Sequence, residues 1–304
     1  MFTVVKDILS FLDAILSDNE LKVESRNFED IHKQYDTSKF DIEALKNEIV
    51  IKSEDFLSAI KPIPDENEKC EPIIFGEFYQ FDEQTTANLI QNCRKHNATV
   101  QGVISTASLI SLLLVEKQDI KENEIIKCIN SVPCNMRSLI HPKLSNEDIV
   151  CGSAALTWPQ DIKGSDDLWE LAANATKSIH ELRNSDHGYK WWIKIANSCP
   201  IQQYSIMSSS IGLVELNEHL LKNISLNDIR MIGGTYGLAK DSAGNMTHAF
   251  TSLNKLTVVM SYTYPPLNKA WAKTFASRQS NILKYFAKPE EIKHTLKTIV
   301  EELL

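Results

Sequence analysis

The sequence predicts an α/β protein, a two-layer sandwich of a mixed β-sheet backed by helices, and three observations carry that expectation. Short runs rich in β-branched and aromatic residues recur along the chain, as strands require. Between them lie stretches whose apolar residues return at helical spacing. The most apolar stretch, 100–115, is interrupted by Gln101, Ser105, Thr106, Ser108 and Ser111 and falls short of the roughly 20 residues a membrane helix needs. It reads as a buried helix.

In chain order, residues 3–17 set Val5, Ile8, Leu9, Leu12, Ile15 and Leu16 on one buried helical stripe, which Asp18 and Asn19 end. Residues 20–71 are charged and broken, with a short helical patch near 41–49 and a proline-containing stretch at 61–66, and read as a long connection. Residues 73–81 alternate as a strand. Asp82 and Thr85 offer caps for a helix running to His96 and Asn97, and Thr99 caps the apolar helix that follows. Its small Gly102, Ser105, Ala107 and Ser108 permit close packing on a sheet.

Further strands are expected at 125–132, 149–158, 205–210, 230–237, 247–252 and 256–264. Ser165, Asp166 and Asp167 open a helix with Leu168, Leu171, Ala172, Ala175, Ile179 and Leu182 inward; acids suit its positive end. Another follows Pro265 and Pro266 with Trp271 and Phe275 inward, and Pro289 opens the last, burying Ile292, Leu296, Ile299 and Leu303.

Lys and Arg total 32 against 40 Asp and Glu, and no basic stripe stands out, so nucleic acid is not an expected partner. The first residues lack the basic region and cleavage site of a secretory signal, which points to the cytoplasm. The six cysteines show no two-residue spacing, so no metal site is expected and they read as free thiols.

Phosphate loops, Gly-x-Ser-x-Gly elbows and His-Glu-x-x-His helices are absent. Gly233-Gly234-Thr235-Tyr236-Gly237 precedes a strand and reads as a tight bend within a sheet. His32 and Asp36 have the His-x-x-x-Asp spacing of acyl transfer, where a neutral imidazole takes the acceptor's proton. No apolar strand precedes them and Thr37 stands where a glycine is usual. The pair therefore reads as non-catalytic, with catalysis as the alternative.

The segment His96-Asn97-Ala98-Thr99-Val100-Gln101-Gly102 and the helix it opens resemble the helix entry in the second half of chloramphenicol acetyltransferase-like acyltransferases. That superfamily includes alcohol acyltransferases and the condensation domains of peptide synthetases. Ser131-Val132-Pro133-Cys134-Asn135-Met136-Arg137 resembles its strand ending in Asn-x-Arg, and Ser208-Ser209-Ser210-Ile211-Gly212 its Ser-Asn-x-Gly turn, with serine in place of asparagine. Residues 256–266 with the Trp271 helix are similar to its final strand and helix.

The resemblance implies transfer of an acyl group from acyl-coenzyme A to a small alcohol or amine, with acyl-coenzyme A as co-substrate and no bound cofactor. It implies substrate contacts from Asn135, Arg137, Ser209, Ser210 and Gly212, although Asn135 and Arg137 read first as loop-fixing residues. The family's His-His-x-x-x-Asp-Gly is absent, since no two histidines are adjacent. Residues 1–72 are then expected to be a helix and linker remnant of a first half largely missing, and 73–304 the second half. The alternative is a non-catalytic module of the same fold that associates with a full-length relative. Trp191 and Trp192 read as helix packing and His187 as a surface histidine, with an acceptor pocket as the alternative; Tyr262 and Tyr264 read as wall or core.

Overall fold

A computed structural model describes residues 12–13, 16–17, 40–59, 73–117, 120–139, 152–214, 229–233, 244–264, 267–288 and 295–303. His32, Asp36, residues 234–237, Cys70 and Cys151 lie outside the described residues. Of the expected buried stripe of the first helix, Leu12 and Leu16 are described, and both are exposed, whereas Asp13 is buried.

A six-stranded sheet forms the frame. Its strands are β1 (Ile73–Gln80), β2 (Ile129–Asn135), β3 (Ser153–Pro159), β4 (Ile206–Leu213), β5 (Asn245–Ser252) and β6 (Lys255–Tyr264), in the order β1-β6-β5-β4-β2-β3. Pairing is antiparallel except at β4, which runs parallel to both β5 and β2, so the sheet is mixed as expected.

The helices are α1 (Ile42–Lys46), α2 (Glu83–Lys95), α3 (Val100–Glu116), α4 (Leu168–Arg183), α5 (His187–Ala196), α6 (Lys269–Phe286) and α7 (Leu296–Leu303). The starts of α2, α3, α4 and α6 are fixed by side chains that accept otherwise unpaired backbone N–H groups. Asp82 accepts from Thr85, Thr99 from Gly102, Asp167 from Trp169 and Glu170, and Asn268 from Trp271.

Helix α3 is buried from Gly102 to Leu114, with α4 and α6 packed on either side and the sheet beneath. Such a helix has no solvent face to keep polar. Two of its serines are satisfied within the helix, Ser108 and Ser111 donating to the carbonyls of Ile104 and Ala107. No single helix among the described residues is long and apolar enough to cross a membrane; α2 and α3 meet at a bend of 101°.

Two strand expectations are corrected. The strand expected at 125–132 runs from Ile129 to Asn135, and Ile126 makes only an isolated bridge to Ile162. Residues 230–233 are not a strand, and the remainder of the expected strand and bend, 234–237, lies outside the described residues. Residues 230–233 instead cross the sheet, with Ile232 against Gly76 and the Arg230 guanidinium 5.5 Å from the centre of the Phe78 ring. The apolar residues that suggested a strand serve as cover.

Candidate active site

The sheet splits between β2 and β4, and Pro133 explains where. Met136 donates its N–H to Gly152 and Gln160 donates to Cys128, so the even-numbered residues of β2 exchange bonds with β3 and the odd ones face β4. Pairing with β4 covers only Asn130 and Ser131. The next donor on that side would be residue 133, and proline has none. Beyond the split, Gln101 of α3 takes the place of a strand. Its Nε2 donates to the Ser208 carbonyl at 3.3 Å and its Oε1 accepts from the Ser210 N–H. The Ser208 and Ser105 hydroxyls, 2.8 Å apart, complete this contact on the helix side.

On the opposite, open face lies a cavity of about 560 Å³, within the usual range for small-molecule sites, roughly 300–1,000 Å³. Its floor is Ser131, Ala155, Thr157 and Met207, all on the face turned away from α4. The Ser131 and Thr157 hydroxyls are 3.5 Å apart. Trp191 and Ile195 of α5 form one wall, and residues 199–204 with 50–54 form the roof. A smaller space of about 200 Å³ adjoins it and reaches His187, Lys190 and Glu48.

The roof is tied down by polar contacts across long sequence separations. The Gln202 amide donates to the Ile51 carbonyl at 2.8 Å and accepts from the Ile51 N–H at 3.0 Å. Lys194 of α5 meets Glu48 at 2.6 Å, and the Leu57 N–H reaches the Lys127 carbonyl at 2.8 Å. Residues 48–54, read as connecting segment, are therefore a wall of the site.

The residues singled out from sequence fall into two groups. Asn135 and Arg137 fix a loop: the Asn135 side chain accepts from the Arg137 N–H at 3.1 Å, and the Arg137 chain packs on Gly152. Neither lines the cavity. Ser209, Ser210 and Gly212 lie on β4 beyond Met207. The Ser210 N–H is held by Gln101, and a bulge at Ile211 shifts the register before Gly212, whose φ of +88° suits glycine. Tyr262 is buried in the core against Phe75, and Tyr264 is exposed; neither lines the cavity. Trp191 borders the cavity, while Trp192 packs with Met136 and Ala154 and donates to the Ser153 carbonyl at 2.9 Å.

Four imidazoles lie among the described residues. His96 stacks on Trp169 with ring centres 4.2 Å apart, and His180 is exposed on α4. His187 borders the smaller space rather than open solvent, and its Nε2 accepts from the Thr157 N–H at 3.2 Å. β3 is an edge strand, so this bond satisfies a donor without a strand partner. It also occupies the lone pair a general base would use. Burial, then Lys194 and Lys190, hold the His187 ring below its ordinary pKa. His248, on β5, is buried, and sequence reading passed over it because it sits in an ordinary alternating strand. Among the described residues no group of three or more His, Cys, Asp and Glu side chains is placed to hold a metal.

Residues 77–183 match the sequence family described as the phthiocerol/phthiodiolone dimycocerosyl transferase C-terminus. No curated protein sequence matches the chain. Among solved structures, polyketide synthase associated protein 5 from Mycobacterium tuberculosis superposes with a TM-score of 0.60 at 12% identity, over 94% of this chain and 69% of that one. The condensation domain of the monacolin K polyketide synthase MokA gives 0.61 at 9% identity, over 96% and 68%. The PapA2 acyl transferase gives 0.57 at 11%, over 94% and 63%. This chain thus spans about two thirds of the length of these proteins. It has the fold of the chloramphenicol acetyltransferase-like superfamily of acyltransferases and condensation domains, the superfamily its helix-entry and Asn-x-Arg segments resemble.

Proposed function

We propose that the protein transfers an acyl group from a thioester, acyl-coenzyme A, to an alcohol or amine whose body occupies the cavity on the open face of the sheet. The observation that supports this most is the cavity itself. An apolar wall at Trp191 and Ile195 faces a hydroxyl-bearing floor at Ser131 and Thr157, in a fold shared with acyl transferases and condensation domains. Apolar walls bind the acceptor's body and the hydroxyls orient its polar end. In the reaction the acceptor oxygen or nitrogen bonds to the thioester carbonyl carbon, the C–S bond breaks, and the acceptor's proton ends on the thiolate.

The test is release of free thiol from acetyl-coenzyme A with a panel of alcohols and amines. Release above a heat-treated control supports the proposal, and none defeats it. One observation favours a second reading, a non-catalytic binding module that associates with a full-length relative: His187, the imidazole at the cavity's margin, has its Nε2 engaged by Thr157. Calorimetric binding of coenzyme A without turnover selects that reading.

A further inference from the structure

One imidazole stands on the open face itself, one step beyond the cavity. In the sheet, His248 is the parallel neighbour of Ser209 and the antiparallel neighbour of Val259. Thr247 bonds Gln279 of α6, so strand alternation turns His248 to the opposite face, the one the cavity uses. Ser209 follows Met207, part of the cavity floor, by two residues on that same face. Met207, Ser209 and His248 therefore make a short path from the cavity to an imidazole.

His248 is 7% exposed, and its Nε2 has no hydrogen-bond partner among the described residues. Ser261, on the same face of β6, has its hydroxyl buried and likewise without a partner there. Leaving such atoms dry and unpaired opposes the closed arrangement. Among the described residues the segment 229–233 covers this imidazole, with the Gly233 backbone laid against the ring; a Cβ on Gly233 would overlap Nε2. Among the described residues no backbone hydrogen bond ties Met231, Ile232 or Gly233 to the sheet. Ile232 is half exposed. The cover's described contacts with the sheet are those of Ile232 on Gly76, Arg230 on Phe78 and Gly233 on the imidazole, and it sits on a surface that gains from being wetted.

We infer that His248 is a catalytic residue of the acyl-transfer site, the proton acceptor, uncovered when Gly233 lifts from its ring. This rests on the acyl-transfer reading above. With Gly233 raised, the acceptor's hydroxyl or amine gives its proton to Nε2 as its oxygen or nitrogen bonds to the thioester carbonyl. Collapse of the tetrahedral adduct breaks the C–S bond, and the imidazolium returns the proton to the thiolate. Ester or amide, free thiol and neutral imidazole remain. Burial pushes the ring down to about pKa 4, so under Gly233 it is a weak base, and admitting solvent strengthens it.

The experiment combines two measurements. Thiol release from acetyl-coenzyme A is compared for wild type, His248→Ala and His248→Gln. Carbethoxylation of His248 by diethyl pyrocarbonate is followed by peptide mass spectrometry on the folded protein, a readout independent of turnover. Both variants are expected to lose about a hundredfold or more in kcat, with KM for acetyl-coenzyme A within about threefold and unchanged circular dichroism. In the wild type, His248 is expected to be labelled without unfolding. Variants that keep the rate within about threefold overturn the catalytic role. A wild type without turnover removes the acyl-transfer reading and the catalytic role with it, and labelling then decides the uncovering alone. A His248 that reacts only after denaturation overturns the uncovering whatever the turnover.

Discussion

Gln101 stands to Ser210 as a strand residue stands to its neighbour in a parallel sheet. A parallel partner donates to the carbonyl of one residue and accepts from the N–H two residues on. The Gln101 amide does this with the Ser208 carbonyl and the Ser210 N–H. The need for it arises at Pro133, where β2 loses the ability to continue its ladder with β4. One side chain on a buried helix thus satisfies a strand margin that the split would leave bare, and holds β4 beside the cavity.

Gln101→Ala should therefore leave both backbone groups without their partner. At about 1–3 kcal/mol for a buried group left unsatisfied, and with water able to reach this half-buried site, the expected loss is about 2 kcal/mol. Urea unfolding measures it. A change under about 0.5 kcal/mol would mean that the amide is decorative.

Gln279 is the more severe case, being fully buried on α6. It accepts from the Tyr79 hydroxyl at 2.8 Å and donates to Ser108 at 2.6 Å and Thr247 at 3.1 Å, joining α6, β1, α3 and β5. Gln279→Leu keeps the bulk, strands the Tyr79 and Thr247 hydroxyls and leaves Ser108 only its bond to the Ile104 carbonyl, so it should cost about 3 kcal/mol or more. Adding Thr247→Val removes one stranded group, and the double variant should recover part of the loss in the same urea experiment.

Much of the frame was legible in the chain because local chemistry decides it. Asp82, Thr99 and Asp167 cap the helices they were expected to cap, and the apolar run at 100–115 is buried all round. Where β2 starts was not legible, because Ile126 has strand character and only its surroundings give it a single bridge. The site was hidden for a related reason. Its roof depends on Gln202 meeting Ile51, 151 positions apart, and no spacing rule joins such residues. The Asn-x-Arg segment fixes a loop through the Asn135 side chain, which accepts from the Arg137 N–H. His248 carried a signal that went unused: it alternates with Thr247 and Ala249, small residues suited to the helix face, which leaves the imidazole on the other.

The thiols give a chemical test of the packing. Burial pushes Cys93 and Cys128 up to about pKa 12, so almost no thiolate exists at pH 8. Cys134 is only half buried, and its thiol is raised less by the same cause, with Arg183 opposing. Iodoacetamide on the folded protein should modify Cys134 well before Cys93 or Cys128, read by peptide mass spectrometry. Early labelling of Cys93 would contradict its place against α3 and α6 in the core.

The last prediction concerns acid. In the closed arrangement burial alone holds the His248 ring at about pKa 4, against an ordinary value of 6.5. Among the described residues the neighbours facing it are Ser209 on β4, Val259 on β6 and Gly233 above, none of them charged; the charge on residues 229–233 is Arg230, over Phe78. A ring whose pKa is depressed by closure favours the closed form while it is neutral. That contribution is complete above about pH 6.5 and is lost as pH falls toward 4, because the opened state binds a proton the closed one refuses. The loss should reach on the order of 2 kcal/mol near pH 5. Protection of residues 229–233 from proteolysis, corrected for the protease's own pH dependence on an unfolded substrate, should fall between pH 7 and pH 5. In His248→Phe, which keeps a ring under Gly233 without a titrating nitrogen, the fall should disappear. Equal loss of protection in both proteins would assign the acid sensitivity to another group.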